Sequence, residues 1–211
     1  VSQWGQDFRP DYRNAIKKAL KLKRAYDVMI TLFSATVTTQ VSEDFAKCFR
    51  DEGFEPPMQL GETDSNPVRP HISINFKQTK HETLARIEEI IQFIESNHID
   101  FEKSCMLIFC RTTRQCEEVS DALSEASLYA QPDSTLSKCI DRIGYYHAGL
   151  DAERRNDVYE QYKRKQGVEP IYILCATKAF GMGMDIPNVH YVVHFNPPSV
   201  MEDYLQEVGR A

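Results

Sequence analysis

Residues 107–119 read L-I-F-C-R-T-T-R-Q-C-E-E-V, an apolar run that passes without glycine or proline into a polar, helix-prone segment. Counted from Cys105, the run is short and unbroken, which predicts a strand buried on both faces. Thr112 and Gln115 have the spacing of a capping box, so a helix is predicted over 113–126 directly after it. A buried strand feeding a helix is the repeating half of an α/β sheet, and the flanking sequence repeats it. Upstream, 71–76 alternates as a strand, and 80–97 carries Leu84, Ile87, Ile91 and Ile94 on one helical face. Downstream of a polar stretch at 130–138 come strand 142–146, helix 152–165, strand 171–175, a glycine-rich turn, strand 190–195 and a last helix. Ser199 with Glu202 offers that last helix a second capping box.

Strands that alternate with helices need crossover connections, so the expected fold class is α/β, a mostly parallel sheet covered by helices on both faces. Ligands of such sheets collect beyond the carboxyl ends of the strands, and the segments following each strand are where chemistry is to be sought. A separate strand, turn and helix precede this array: D-V-M-I-T-L-F at 27–33, then Ser34-Ala35-Thr36, then a helical segment reaching Phe49. Between the two lie Gly53, Pro56, Pro57, Gly61, Asp64, Asn66, Pro67 and Pro70, the densest group of structure breakers in the chain. The domain boundary is expected there, with a first part at 1–66 and a second at 67–211.

Composition narrows the function. With 42% apolar and 27% charged residues the chain has the balance of a folded core, not of a disordered tail. No apolar run approaches the ~20 residues of a membrane-spanning helix, so no membrane partner is expected. No secretory leader is visible, although the chain opens at Val1 and not at methionine. The six cysteines form no C-x-x-C pair and several lie in apolar runs, which reads as reduced core thiols in an intracellular protein. His190 and His194 occupy V-H-Y-V-V-H-F with no cysteine or carboxylate nearby, so zinc is not expected. A net charge of −6 argues against gripping nucleic acid by bulk charge and leaves two local patches. One is Lys17, Lys18, Lys21, Lys23 and Arg24; the other is Arg154, Arg155, Lys163, Arg164 and Lys165. The solvated face of a helix has the same composition.

Three motifs carry chemistry. The segment V-S-Q-W-G-Q-D-F-R-P-D-Y at 1–12 interleaves aromatics with Arg9. That mixture suits stacking on single-stranded bases, at ~1–3 kcal/mol per base, and buried anchoring aromatics produce it too. Arg111, Thr112 and Thr113 sit at a helix start, where unpaired N–H groups and a guanidinium suit an anion. In I-L-C-A-T-K-A-F-G-M-G-M-D-I-P at 173–187, Gly181 and Gly183 allow close backbone approach, but the third glycine of a dinucleotide fingerprint is missing. A nicotinamide-dependent enzyme is therefore disfavoured.

Taken in order, these segments resemble the RecQ family of superfamily-two DNA helicases. Residues 1–12 resemble the aromatic-rich loop that follows the Asp-Glu-x-His box, where Trp4, Phe8 and Arg9 would contact single-stranded DNA and report it to the ATPase site. Ser34-Ala35-Thr36 resembles the Ser-Ala-Thr motif, so Ser34 and Thr36 would couple hydrolysis to lobe movement through their hydroxyls. Residues 107–119 resemble motif IV, with Arg111 on the DNA backbone, and Y-Y-H-A-G-L at 145–150 would bring His147 near DNA or the interlobe cleft. Residues 173–187 resemble motif V: Thr177 would meet the DNA backbone while Gly183 and Asp185 face ATP, although the family often has Asn where Asp185 stands. Y-L-Q-E-V-G-R-A at 204–211 resembles the start of motif VI, in which Gln206 and Arg210 would point at the triphosphate. The second arginine of that motif would fall two residues past Ala211.

The resemblance implies a RecA-like parallel sheet, the helicase C-terminal lobe, preceded by part of a first RecA-like lobe. It implies ATP with Mg, the metal ligands lying in a portion of lobe 1 that 1–66 does not contain, together with the G-x-x-x-x-G-K-[ST] loop. Its implied partners are single-stranded and branched DNA and the remainder of lobe 1, and its implied activity is ATP-driven 3′-to-5′ unwinding. The chain alone would be inactive. The compartment would be the nucleus in a eukaryote and otherwise the cytoplasm. The polar stretch at 130–138 departs from the family pattern. A non-catalytic nucleic-acid-binding or scaffold protein derived from a helicase lobe stays open as the alternative.

Overall fold

Strands β1 (Cys105–Phe109), β2 (Ile143–Tyr146), β3 (Ile173–Ala176) and β4 (Val189–His194) pair in the order β2-β3-β1-β4, all parallel. The computed structural model describes residues 11–33, 39–58, 71–79, 82–180 and 186–210. The chain divides into two units, Val1–Pro67 and Val68–Ala211. Helices α1 (Asp11–Tyr26) and α2 (Thr39–Asp51) belong to the first. The second holds the sheet with α3 (Thr83–Ser96), α4 (Thr113–Tyr129), a 3-10 turn (Leu136–Cys139), α5 (Ala152–Tyr162) and α6 (Met201–Val208).

Every residue of β1 is buried, and its side chains alternate between two cores. Met106 and Ile108 join Ile87, Ile90 and Ile94 of α3 and Cys116, Val119 and Leu123 of α4. Leu107 and Phe109 join Val158 and Tyr162 of α5 on the opposite face. Burial on both faces is why the sequence runs apolar without alternation here. The β1–β4 register slips once: Cys105 pairs with Val189 and Met106 with Tyr191, leaving His190 as the extra residue of a bulge. Val189 accordingly packs in the second core and Tyr191 against the first. On β2, Gly144 leaves room for Ile171: a Cβ there would lie 2.8 Å from Ile171 Cδ1, the end of that side chain, which would have to move.

The expected capping box of α4 is half formed: Gln115 N–H donates to the cap residue's Thr112 Oγ1 (3.1 Å), whereas Gln115 Oε1 reaches one residue further back and accepts from Arg111 N–H (3.0 Å). The polar stretch at 130–138 is tied down by one side chain of α3. Glu95 accepts from the N–H groups of Thr135 (2.9 Å) and Leu136 (2.8 Å), capping the 3-10 turn while Leu136 and Cys139 enter the first core.

Several expectations need correction. The run 27–33 forms no strand: Asp27 takes φ +49° and its N–H closes the last turn of α1, and Met29 and Phe33 are 89% and 92% exposed. A strand is defined by its partner, and the described residues of that unit contain none. The segment 71–76 likewise forms no strand, with Phe76 exposed: among the described residues neither edge of the four-stranded sheet, β2 or β4, bonds to it. On α3 the inward stripe is Ile87, Ile90 and Ile94 with Ile91 partly buried, while Leu84 in the first turn is exposed. Ser199 does not cap α6: the cap position is Val200, which makes no side-chain capping bond.

Helix α5 stops at Tyr162, short of the expected Lys165, because Arg164 turns left-handed at φ +59°. Arg164 N–H donates to the Gln161 carbonyl and Lys165 N–H to the Glu160 carbonyl, both at 3.1 Å, the paired bonds of a Schellman ending. Glycine normally occupies this position, and a left-handed non-glycine residue costs about 1–2 kcal/mol. The guanidinium offsets the strain. It donates to the carbonyls of Phe101 (2.5 Å), Glu102 (2.5 Å) and Ser104 (2.7 Å), and it lies over the Tyr172 ring at 5.2 Å. One arginine thus pins the end of α5 to the loop that starts β1.

Arg164→Ala keeps the strain and loses the bonds, whereas Arg164→Gly loses both. Urea denaturation should find both variants less stable than the parent, with the glycine variant recovering about 1 kcal/mol relative to alanine. Equal stability of parent and Arg164→Gly would contradict the clamp.

Candidate functional site

Because the sheet is parallel, its strands end together. The last register row runs Tyr146, Ala176, Phe109, His194 across β2, β3, β1 and β4. Backbone bonds extend the ladder one step: Thr177 N–H to Tyr146 O (3.2 Å), Cys110 N–H to Ala176 O (2.8 Å) and Phe195 N–H to Phe109 O (3.0 Å). The segments singled out at 107–119, 145–150, 173–187 and 204–211 therefore leave or follow the sheet at one rim.

Arg111 follows β1 and is exposed, its own N–H engaged by Gln115 at the start of α4. Its neighbour Arg114 is held along the helix by Glu118 at 2.7 Å. His147 follows β2 and is only 4% exposed, with both ring nitrogens engaged. Nε2 lies 2.9 Å from Glu117 Oε1 of α4, and Nδ1 accepts from Gly149 N–H at 3.2 Å. Since Nδ1 accepts and a carboxylate only accepts, the ring proton belongs on Nε2. A Cβ at residue 149 would sit 3.1 Å from Nδ1, so the glycine of Y-Y-H-A-G-L makes room for this bond. His147, stacked on Tyr145 at 5.6 Å, fastens the turn after β2 to α4. Thr177 follows β3 and is 9% exposed, its carbonyl accepting from Phe180 N–H at 2.9 Å.

Gln206 is exposed on α6, and Arg210 is partly buried just past it, its N–H donating to the Glu207 carbonyl at 3.2 Å. Burial lowers the pKa of the Arg210 guanidinium from its ordinary value. Trp4, Phe8, Arg9, Ser34, Thr36, Gly183 and Asp185 lie outside the described residues. Among the described residues no group of three or more His, Cys, Asp or Glu could hold a metal ion, and no helix is long and apolar enough to cross a membrane.

The two basic patches have different structural roles. Lys17, Lys18 and Lys21 are exposed on α1. Lys23 pairs with Asp27 at 3.8 Å, and Arg24 donates to the Glu52 carbonyl and covers the Phe54 ring. In the second patch Arg164 is the clamp, Lys165 pairs with Glu160 at 3.1 Å, and Lys163 lies over Tyr159. Arg155 lines an open cleft of about 250 Å³ beside β2, with Tyr146, Ala152, Asn156 and Tyr159.

Sequence reading missed the partners that orient these groups. Glu117 and Gly149 hold His147, His194 meets Glu207 at 2.9 Å, and Lys178 meets Asp203 at 4.0 Å. The i,i+4 spacing of Asp203 and Glu207 was a readable sign that α6 carries carboxylates along one stripe. Their partners, on other elements, left no such sign.

The chain belongs to the helicase conserved C-terminal domain family, which matches residues 84–211, the part that holds the sheet and its rim. Over its whole length it is similar to RecQ-type DNA helicases, as its sequence suggested. It is 34% identical over 213 residues to the ATP-dependent helicase SGS1 of Saccharomyces cerevisiae, covering all of this chain and 12% of that protein. It is 33% identical over 211 residues to the ATP-dependent DNA helicase Q-like 4B of Arabidopsis thaliana (100% and 16%) and 29% identical over 218 residues to the RecQ-like DNA helicase BLM of Xenopus laevis (100% and 13%). The chain thus spans less than a fifth of each of these relatives. Among solved structures the fold matches Mss116p bound to ssRNA and AMP-PNP, with TM-score 0.62 and 18% identity over 99% of this chain and 39% of that one. It also matches S. cerevisiae Dbp5 bound to RNA and ADP BeF3, with TM-score 0.56 and 16% identity over 92% and 45%. Both likenesses speak for the RecA-like fold.

Beneath the rim lie thiols without nucleophilic character. A hydrogen bond with Cys116 together with burial pushes the Cys110 thiol up, burial pushes Cys175 far up, and burial with the Glu95 charge pushes Cys139 up to about 12. Cys116 Sγ donates to the Cys175 carbonyl at 2.9 Å. A thiol reagent at pH 8 should modify the half-buried Cys48 well before the five buried cysteines, followed by mass spectrometry of the native protein. Fast labelling of Cys175 would contradict this core.

Proposed function

We propose that this chain is part of an ATP-dependent DNA helicase motor of RecQ type, moving 3′ to 5′ on single-stranded DNA and separating duplex and branched DNA in recombination, repair or replication. In this reading 1–66 is the C-terminal part of the first RecA-like lobe and 67–211 is the second lobe. The observation that supports it most is the convergence of four motif segments on one rim of a parallel sheet, in a chain similar throughout to RecQ-type helicases.

The chemistry divides between two ligands. ATP and Mg bind on the other lobe, which supplies the metal ligands, and Gln206 and Arg210 reach the triphosphate from this one, aided by Gly183 and Asp185. A planar guanidinium suits phosphate oxygens as charge develops on them. Trp4, Phe8, Arg9, Arg111 and Thr177 follow the DNA strand. His147 acts there through the turn it fastens. Ser34 and Thr36 couple the two events, so that ATP closes the lobes and hydrolysis releases them stepwise along the strand. The working compartment is the nucleus in a eukaryote and otherwise the cytoplasm, at the nucleoid.

Two outcomes test this. Purified Val1–Ala211 should hydrolyse ATP no faster than background in a phosphate-release assay, and robust turnover would sink the division of labour between lobes. In the full-length protein Arg210→Ala should cut DNA-stimulated turnover by ~100-fold while changing single-strand affinity several-fold at most. Equal losses in both would make Arg210 a structural residue.

A further inference from the structure

Helix α6 has eight residues and a cap position, Val200, that offers it no side-chain bond. Two turns are too few to be stable alone, so packing must fix where this helix sits and where the residues it carries point. Its outer residue Gln206 is exposed, whereas the side chains of Asp203 and Glu207, one turn apart, are only 14% and 13% exposed. Both carboxylates face inward, and each meets a partner from the carboxyl end of a different strand.

The stronger contact is with β4. His194, the last residue of the strand, brings Nε2 to 2.9 Å from Glu207 Oε2, and the His194 side chain is 15% exposed. A carboxylate only accepts, so Nε2 carries the proton. The imidazole is itself held between two rings, Phe109 of β1 at 5.8 Å with an 18° interplanar angle and Tyr204 of α6 at 5.4 Å. The weaker contact is with the turn after β3, where Lys178 Nζ lies 4.0 Å from Asp203 Oδ2. Arg210 follows Glu207 by three residues and bonds to its carbonyl, so any tilt of α6 about Glu207 displaces the guanidinium.

We propose that His194 and Glu207 are positioning residues that lock α6 onto the end of β4 and thereby set the aim of Gln206 and Arg210. This rests on the reading of Arg210 as a triphosphate-facing residue. Neither latch residue touches the nucleotide. Their effect follows from geometry, since displacing a reacting group by about 1 Å costs on the order of 100-fold in rate.

The test uses DNA-stimulated ATP hydrolysis by the full-length protein. Glu207→Ala and His194→Ala should each lower kcat at least tenfold, with the KM for ATP and the affinity for single-stranded DNA staying within threefold. The double variant should be no slower than either single within twofold, because both remove the same bond. Glu207→Gln, whose amide oxygen still accepts from Nε2, should keep kcat within threefold of the parent. Should the alanine variants fail to fold, as judged by circular dichroism, Glu207→Gln is compared with Glu207→Met, of similar size but without an acceptor; the methionine variant alone should be slow. Single losses that multiply in the double variant, or a Gln variant as slow as Met, overturn the latch. Arg210→Ala measured in parallel separates the two readings. If it leaves kcat intact, the triphosphate reading falls and the latch with it. If it abolishes turnover while the His194 and Glu207 variants stay fast, the latch alone falls.

Discussion

Parallel pairing is the constraint on which the rest of the second unit depends. Antiparallel strands would scatter their following segments to both ends of the sheet; four parallel ones deliver theirs to a single edge. The final register row, from Tyr146 through Ala176 and Phe109 to His194, converts segments far apart in sequence into neighbours. It also dictates the apolar character of β1 and β3, which are covered on both faces and can have no polar side. The helices then follow: α3 and α4 cover one face, and α5 with Phe180 covers the other.

Apolar packing supplies most of the cohesion, but position is assigned by a few polar side chains that bind backbone or a single partner. Arg164 gathers three carbonyls ahead of β1, Glu95 caps the 3-10 turn, and His147 ties the turn after β2 to Glu117. Each joins elements that are distant in sequence, where loop closure has a cost that local contacts do not repay. Each is also directional, so it selects one arrangement out of the many that a greasy interface tolerates. Tyr162 works differently: its ring fills the second core, and its hydroxyl has no hydrogen-bond partner among the described residues.

Much of this was legible in the sequence. The four strands, the helices between them and the Thr112–Gln115 cap are local signals, written in periodicity and short spacings. What failed was whatever depends on a partner. Residues 27–33 and 71–76 have the composition of strands, but composition cannot say whether an edge is available to pair with. Leu84 fits the helical stripe yet sits in the first turn of α3, beyond the reach of the core. At the rim, the motif order foretold where Arg111, His147 and Thr177 lie, just past the ends of β1, β2 and β3, and that Gln206 and Arg210 follow on the last helix. Their supports, Glu117, Gly149, His194 and Glu207, were not legible, because tertiary contacts between unlike elements leave no period to detect. Arg164 is the sharpest case. It read as one more charge in a basic helix, and it is the residue that ends the helix.

The bulge at His190 has a consequence of its own. A strand distributes side chains by parity, odd to one side and even to the other, and a single looped-out residue inverts that assignment for everything after it. Val189 and His194 differ in parity, yet both lie on the face of Phe109. Deleting one residue from V-H-Y-V-V-H, with the bulge kept, would turn the imidazole away from Glu207 and present an apolar side chain in its stead. Length variation in this strand is thus expected in steps of two, or in company with loss of the bulge. The spacing between Asn188 and Phe195 is a phase setting as much as a distance.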